Sequence, residues 1–179
     1  MHNVMNNHQR GATLIEVMVS VLIVAFGALA MIALQTNAVK FNKTNEYRSL
    51  ATLLANDLAD RMRVNIDGVV AGSYTLNAAY SEPVQGVIPP RTECTLPDNC
   101  TAPDLARRDL SEWQRALFFS LPGGTGFVQP TANSQAADIW VAWTDPAGAN
   151  PLQGANNGCP AAFRAPNTAH CVYFRVAIQ

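Results

Sequence analysis

The stretch ATLIEVMVSVLIVAFGALAMIAL, from Ala12 to Leu34, holds 23 residues and a single charge, Glu16. A helix needs about 20 apolar residues to cross a bilayer, so this stretch is long enough to span one. The core helix of a water-soluble domain would keep a polar stripe at 3.6-residue spacing. Here Val17, Met18, Val19, Val21, Leu22 and Ile23 cover every face instead, so the segment reads as membrane-spanning.

Upstream lies MHNVMNNHQRG, a polar leader whose one fixed charge is Arg10. It has the character of a targeting segment rather than of a domain. Three processing routes are compatible with it. The whole segment stays as a signal anchor, or an ordinary secretory peptidase cuts at the small-x-small site Ala28-Leu29-Ala30 and releases a soluble chain starting at Met31. The third route follows from a resemblance. The run Arg10-Gly11-Ala12-Thr13-Leu14-Ile15-Glu16-Val17 resembles the class III signal of type IV prepilins and type II secretion pseudopilins. In that family a prepilin peptidase cuts after the Gly, here Gly11, and methylates the new N-terminus, here Ala12, which stands where the family usually has Phe.

Glu16 needs a physical account of its own. A carboxylate at mid-bilayer costs about 2.5 to 3.5 kcal/mol on insertion scales. One reading places it a turn from the helix start, snorkelling to the interface at the positive end of the helix dipole. The resemblance implies another: as the fifth residue of a chain starting at Ala12, it pairs with the free amine of a neighbouring subunit. Two charges that are costly alone in an apolar bundle are tolerated as a pair, which links register to assembly. The positive-inside rule does not orient the span, since Lys40 and Lys43 on the far flank outnumber Arg10.

Beyond Leu34 nothing local stops the helix, because residues 35–65 contain neither Pro nor Gly. Leu50, Leu54, Leu58 and Met62 recur at i+4 with Tyr47 and Ala51 beside them, opposite Arg48, Asn56, Asp60 and Arg63. This amphipathic continuation is predicted to pack one face on a head and to end at Asp67-Gly68, with Asp57 and Arg61 as an exposed i,i+4 pair. A first strand is expected over Ser73–Ala78 and a Pro-rich loop over Glu82–Pro103. A second helix is expected from Pro103-Asp104, with Leu105, Leu110, Trp113, Leu117 and Leu121 on its apolar side, stopping at Pro122-Gly123-Gly124. Strands are expected at Ala137–Thr144 and Cys171–Gln179, where alternation argues for an antiparallel sheet with one buried face.

These elements sum to an α+β fold. The segments DLARRDLSEWQRAL from Asp104, LPGGTG from Leu121 and WVAWTD ending at Asp145 are similar to the minor pilins of the PilV group, which extends the resemblance over most of the chain. The implied architecture is the type IV pilin fold, a long N-terminal helix packed on a small antiparallel sheet with a second helix in the head. The expected organisation is a prepilin leader over residues 1–11, a transmembrane and fibre-core helix over 12–34, its amphipathic continuation over 35–66, and a globular head over 67–179.

The whole chain has 179 residues, 49% hydrophobic and 14% charged, which fits one folded domain and not a disordered chain. With 12 Lys+Arg against 13 Asp+Glu it has no basic excess to neutralise a phosphate backbone, so no nucleic-acid partner is expected.

Cys94, Cys100, Cys159 and Cys171 form an even set beyond the span, which points to disulfides in an exported chain. Three connectivities can be drawn. Cys94 with Cys100 and Cys159 with Cys171 is favoured, since each pair closes a local loop beside Pro and Gly. A zinc site from Cys159, His170 and Cys171 has adjacent ligands and no C-x-x-C, so no metal is expected. Gly123 to Gly126 lacks the Lys-Ser/Thr of a phosphate loop and reads as a helix-to-strand turn. Asp98, Asp104, Asp138 and Asp145 lack the spacing of a calcium loop and read as caps or turns. Trp113, Trp140 and Trp143 read as core. With His2 and His8 in the leader, only His170 is left for acid–base work, and neither an enzyme nor a cofactor is expected.

The resemblance implies a minor pilin of a type IV pilus, a non-catalytic subunit acting at or near the tip in fibre initiation, adhesion and twitching motility. Its implied partners are other minor pilins, the major pilin, the prepilin peptidase, the inner-membrane assembly machinery and a tip adhesin. It would sit in the inner membrane with its head in the periplasm, then in the surface fibre. The alternatives are a type II secretion pseudopilin and, from a different class, a soluble periplasmic binding module released after Ala30.

Overall fold

A run free of proline carries helix α1 from Leu14 to Val64, 51 residues, in the computed structural model of the chain. That structure describes residues 13–81, 83, 87–94, 100–131, 136–144 and 158–178. The chain divides into two compact units, Met1–Asn42 and Lys43–Gln179. The first consists, in its described part, of α1 residues whose apolar side chains from Leu14 to Leu34 are all exposed.

In the second unit α1 buries Ala51, Ala55, Leu58, Ala59 and Met62, with Tyr47, Leu50 and Leu54 packed at the edge of the same core. The predicted stripe is thus correct in direction, and the three alanines on it let the helix backbone approach its neighbours closely. The expected end at Asp67-Gly68 is not where the helix stops. α1 ends at Val64, and Asn65 restarts the chain as the N-cap of a short helix α2, Ile66–Val70, its side-chain oxygen accepting from the Gly68 N–H. An added Cβ at Gly68 would lie 2.5 Å from Asn65 Nδ2 and 2.9 Å from the Ala102 oxygen, so this turn requires glycine.

Helix α3 covers Ala102–Ser120, opened by a capping box in which Thr101 and Asp104 satisfy each other's backbone N–H groups. It buries Leu110, Trp113 and Leu117, and Leu121 is buried just past its end. Leu105, expected on the apolar side, is 36% exposed because it stands about 100° round the helix from the buried row Ala106, Leu110, Trp113 and Leu117, on the flank of that face.

The sheet is three-stranded and antiparallel in the order β1 Thr125–Pro130, β2 Ala136–Thr144, β3 Ala169–Ala177. β1 has no apolar alternation of its own, holding Gly126, Gln129 and Pro130, and pattern reading passed over it. The strand expected over Ser73–Ala78 reduces to one bridge, Leu76 to Val128. β3 starts two residues earlier than predicted, and Gln179 lies outside the described residues. Register puts Val128, Ile139 and Phe174 on one face, against α1, and Phe127, Trp140 and Tyr173 on the other. On that second face Phe127 and Ala142 are covered by Phe163, from a 3-10 turn at Ala161–Phe163.

Candidate functional site

Two regions carry the residues singled out by sequence, the start of α1 and the disulfide-bearing head. Gly11 and Ala12 lie outside the described residues. Glu16 is described, in the first turn of α1, where its N–H donates to the Thr13 carbonyl and its carbonyl accepts from Ser20 Oγ at 2.7 Å. Its carboxylate is exposed and has no hydrogen bond or ion pair among the described residues. Around it Leu14, Ile15, Val17, Met18 and Val19 are all more than half exposed. A carboxylate at the positive end of a helix is favoured by the helix dipole, and it is costly wherever the apolar side chains around it exclude water. The helix carrying it is long and apolar enough to cross a membrane, by length and composition.

The cysteines pair as Cys94–Cys100, with Cα atoms 5.6 Å apart, and Cys159–Cys171, 5.0 Å apart. The second bridge ties the chain before the 3-10 turn to β3, at the edge of the small core around Phe127 and Phe163. With both sulfurs spent, Cys159, His170 and Cys171 cannot form the zinc site weighed above. No group of three His, Cys, Asp or Glu able to hold a metal occurs among the described residues. His170 instead stacks on Trp143, ring centroids 5.9 Å apart, and its Nε2 and the Trp143 Nε1 are buried without hydrogen-bond partners.

The acidic residues considered for calcium are engaged elsewhere. Asp104 caps α3. Asp138 accepts from Nε and Nη2 of Arg175, at 2.8 and 3.0 Å, and from Tyr173 Oη at 2.7 Å. The Arg175 guanidinium, more than burial, sets the balance and holds the Asp138 carboxyl below the usual carboxylate range. Asp98 and Asp145 lie outside the described residues. Gly123 takes a left-handed φ of 60° in the turn between α3 and β1, which confirms a helix-to-strand turn. Trp113 and Trp143 are core, but Trp140 is half-buried on the outer sheet face between Phe127 and Tyr173, 5.6 and 4.9 Å away.

Two features escaped the sequence reading. The first is a polar clamp. Arg61, expected as one half of an exposed helix pair, reaches Asp57 at 3.0 Å and also Asp109 at 3.3 Å and Glu112 at 2.8 Å on α3. Tyr74 Oη donates to Asp109, while Asn65 Nδ2 donates to the Ala102 carbonyl at 2.8 Å. Burial and the bond to Asp109 push the Tyr74 hydroxyl pKa well up. Only the acidic i,i+3 spacing of Asp109 and Glu112 hinted at a cation between them. The second is an exposed cluster at the end of α3, where Arg115 sits over the Phe119 ring, 5.7 Å from its centroid.

A family model described as type IV pilin Tt1218 (Tt1218-like) matches residues 33–111. The prokaryotic N-terminal methylation motif matches residues 6–32. No curated protein and no solved structure matches the chain. The two family matches support a type IV pilin, and the long helix packed on a three-stranded antiparallel sheet with a further helix is consistent with the α+β type IV pilin fold. The motif and the apolar helix together fit a membrane-anchored pilin that becomes part of a pilus.

Proposed function

We propose that this type IV pilin subunit is a minor pilin, made as a membrane-bound prepilin and incorporated at or near the tip of the fibre. In this reading the prepilin peptidase cuts after Gly11 and methylates the amine of Ala12. The span then leaves the bilayer for the fibre core. The observation that carries the reading is the carboxylate of Glu16, without a partner among the described residues, within the exposed apolar stretch. It complements a free N-terminal amine four residues upstream on a neighbouring subunit, and neither charge is tolerated alone in an apolar bundle.

The work of such a subunit is association. Its partners would be the major pilin, other minor pilins, the inner-membrane assembly machinery and a tip adhesin, and its output fibre initiation, adhesion and twitching motility. The likeness of the segments at Asp104, Leu121 and Trp140 to the PilV group is what favours a minor rather than a major subunit in this reading.

The test is the N-terminus and intact mass of the chain from native membranes. A chain starting at Ala12 with one added methyl is the expected result. A start at Met31 would remove Glu16 with the anchor and overturn the assembly reading in favour of a released periplasmic module.

A further inference from the structure

We propose that the outer edge of β3, at Tyr173 and Arg175, takes up a short extended segment of a different subunit as a fourth strand of the sheet. The proposal rests on the subunit reading above. In an antiparallel ladder each residue turns its N–H and C=O to one side, and that side alternates along the strand. Thr131 N–H donates to the Ala136 carbonyl at 2.8 Å, so Ala136 faces β1. Its partner Ala177 therefore turns away from β2, and with it Arg175, Tyr173, Cys171 and Ala169.

The contacts at both ends of β3 agree with this alternation. The Ala177 carbonyl accepts from Arg63 Nε at 3.3 Å, and the Ala169 N–H donates to the Pro166 carbonyl at 2.9 Å. At Cys171 the chain returns close to the edge at Gly158, where an added Cβ would lie 2.7 Å from the Cys171 oxygen. Between these stops the N–H and C=O groups of Tyr173 and Arg175 point outward, and among the described residues nothing bonds them. The opposite edge of the sheet is closed. On β1, Val128 exchanges both backbone bonds with Leu76, at 2.9 and 2.8 Å, and Pro130 has no N–H to offer. β3 has neither Pro nor Lys nor a bulge, its nine residues running in unbroken register with β2. Such devices are how native folds blunt an edge that stays unpaired.

Side chains on the two faces of β3 define the occupant. Tyr173, 46% exposed, and Arg175 stand on the outer face. On the inner face Val172 and Phe174 pack at the margin of the core and are only half-buried. A strand added here bonds the free backbone groups and sets alternate side chains beside Val172 and Phe174. The segment that fits is therefore extended and apolar at every second position. A second copy of this chain fits worse. The antiparallel register that joins the two open stretches, Tyr173 of one copy opposite Arg175 of the other, also sets Cys171 opposite Ala177. The returning chain at Gly158 would then meet Arg63 of the other copy. A short segment brings no such flanks.

Amide exchange in the detergent-solubilised full chain, read residue by residue by NMR, tests the open edge first. The N–H groups of Val172, Phe174 and Val176 should exchange at least a hundredfold more slowly than those of Tyr173 and Arg175. Equal protection would mean that this chain covers its own edge, and would overturn the proposal. Arg175→Pro then removes one outward N–H without touching the ladder to β2, whereas Arg175→Gln loses the same guanidinium and keeps the N–H. The two variants should match in processing and unfolding midpoint, and the proline variant should be recovered in sheared fibres at least tenfold less than the glutamine variant. Tyr173→Pro against Tyr173→Phe should repeat that contrast at the neighbouring outward N–H. Equal recovery within both pairs would overturn strand addition alone, while absence of the native chain from fibres would overturn the subunit reading and this proposal with it. A solubilised chain that is dimeric, and monomeric as Arg175→Pro, would make a second copy the occupant and likewise overturn it.

Discussion

The indole N–H of Trp113 donates to the main-chain carbonyl of Leu54 at 2.8 Å, across 59 residues of chain. The same ring lies against β1, where a Cβ built on Gly126 would sit 2.3 Å from Trp113 Cη2. One side chain thus joins α1, α3 and the sheet.

Gly126→Ala should therefore destabilise the head by about 1 to 3 kcal/mol through overpacking. Trp113→Phe should cost a similar about 1 to 3 kcal/mol through the lost bond and volume. In combination the smaller ring makes room for the methyl, so the double variant should be less damaged than the two costs added. Thermal unfolding of the detergent-solubilised chain, followed by near-ultraviolet circular dichroism, measures this. Strict additivity would show that the ring and Gly126 are not in contact.

The clamp around Arg61 gives an acid dependence. The bond from Arg61, supported by Arg108 and opposed by burial, holds the Glu112 carboxyl below its ordinary value. Asp138 is held low by Arg175 in the same way. A carboxyl whose folded pKa is depressed adds stability that is complete above its unfolded value, about 4.3 for Glu and 3.9 for Asp. That stability is lost as pH falls from there through the lower folded value. The unfolding midpoint should hold steady at neutral pH and fall below about pH 4.5, and Arg61→Gln should flatten the part of the fall due to Glu112. An unchanged acid profile in that variant would remove Arg61 as the cause.

The bridge Cys159–Cys171 spans 12 residues and pins the chain before the 3-10 turn onto β3 beside Phe163. Loop-closure entropy alone assigns a loop of that size about 3 kcal/mol. The Cys159→Ser, Cys171→Ser double variant should lower the unfolding midpoint by several degrees. Within the structure the loss should concentrate where Phe163 covers Phe127, and hydrogen exchange at β3 amides should rise more than at α3 amides. Equal loss in both places would mean that the bridge stabilises the head globally and not this edge.

Elements whose own side chains decide their state could be read from sequence, and those decided by neighbours could not. α1 is specified by composition up to Leu34 and by the i+4 row from Leu50 to Met62; α3 is marked by Pro103 and Asp104, and β2 and β3 by their β-branched alternation. β1 is a strand because Val128 and Phe127 find partners in Ile139 and Trp140 and because Gly126 admits Trp113, none of which is local. Leu105 and Arg61 were misplaced for the same reason: helical spacing gives a face but not what lies opposite it. The bond from Arg115 to the Pro89 carbonyl escaped because its two ends stand 26 residues apart and share no periodicity. Glu16, by contrast, stands out in the sequence as one charge in an apolar run, and among the described residues nothing in this chain pairs with its carboxylate.

Glu16→Ala separates the role of that charge from the role of the span. A carboxylate within an apolar helix opposes insertion by up to about 2.5 to 3.5 kcal/mol, so alanine should insert into the membrane at least as well as the native residue. Cleavage after Gly11 should proceed, and the intact mass should again correspond to a start at Ala12 with one methyl. Recovery in sheared fibres should drop at least tenfold, because the neighbouring amine then enters the bundle without its counter-charge. Glu16→Asp, which keeps the charge one methylene shorter, should restore part of the incorporation. Normal recovery of the alanine variant in fibres would leave Glu16 with only its place in the first turn of α1, next to the helix dipole, and would remove charge pairing from the account of register.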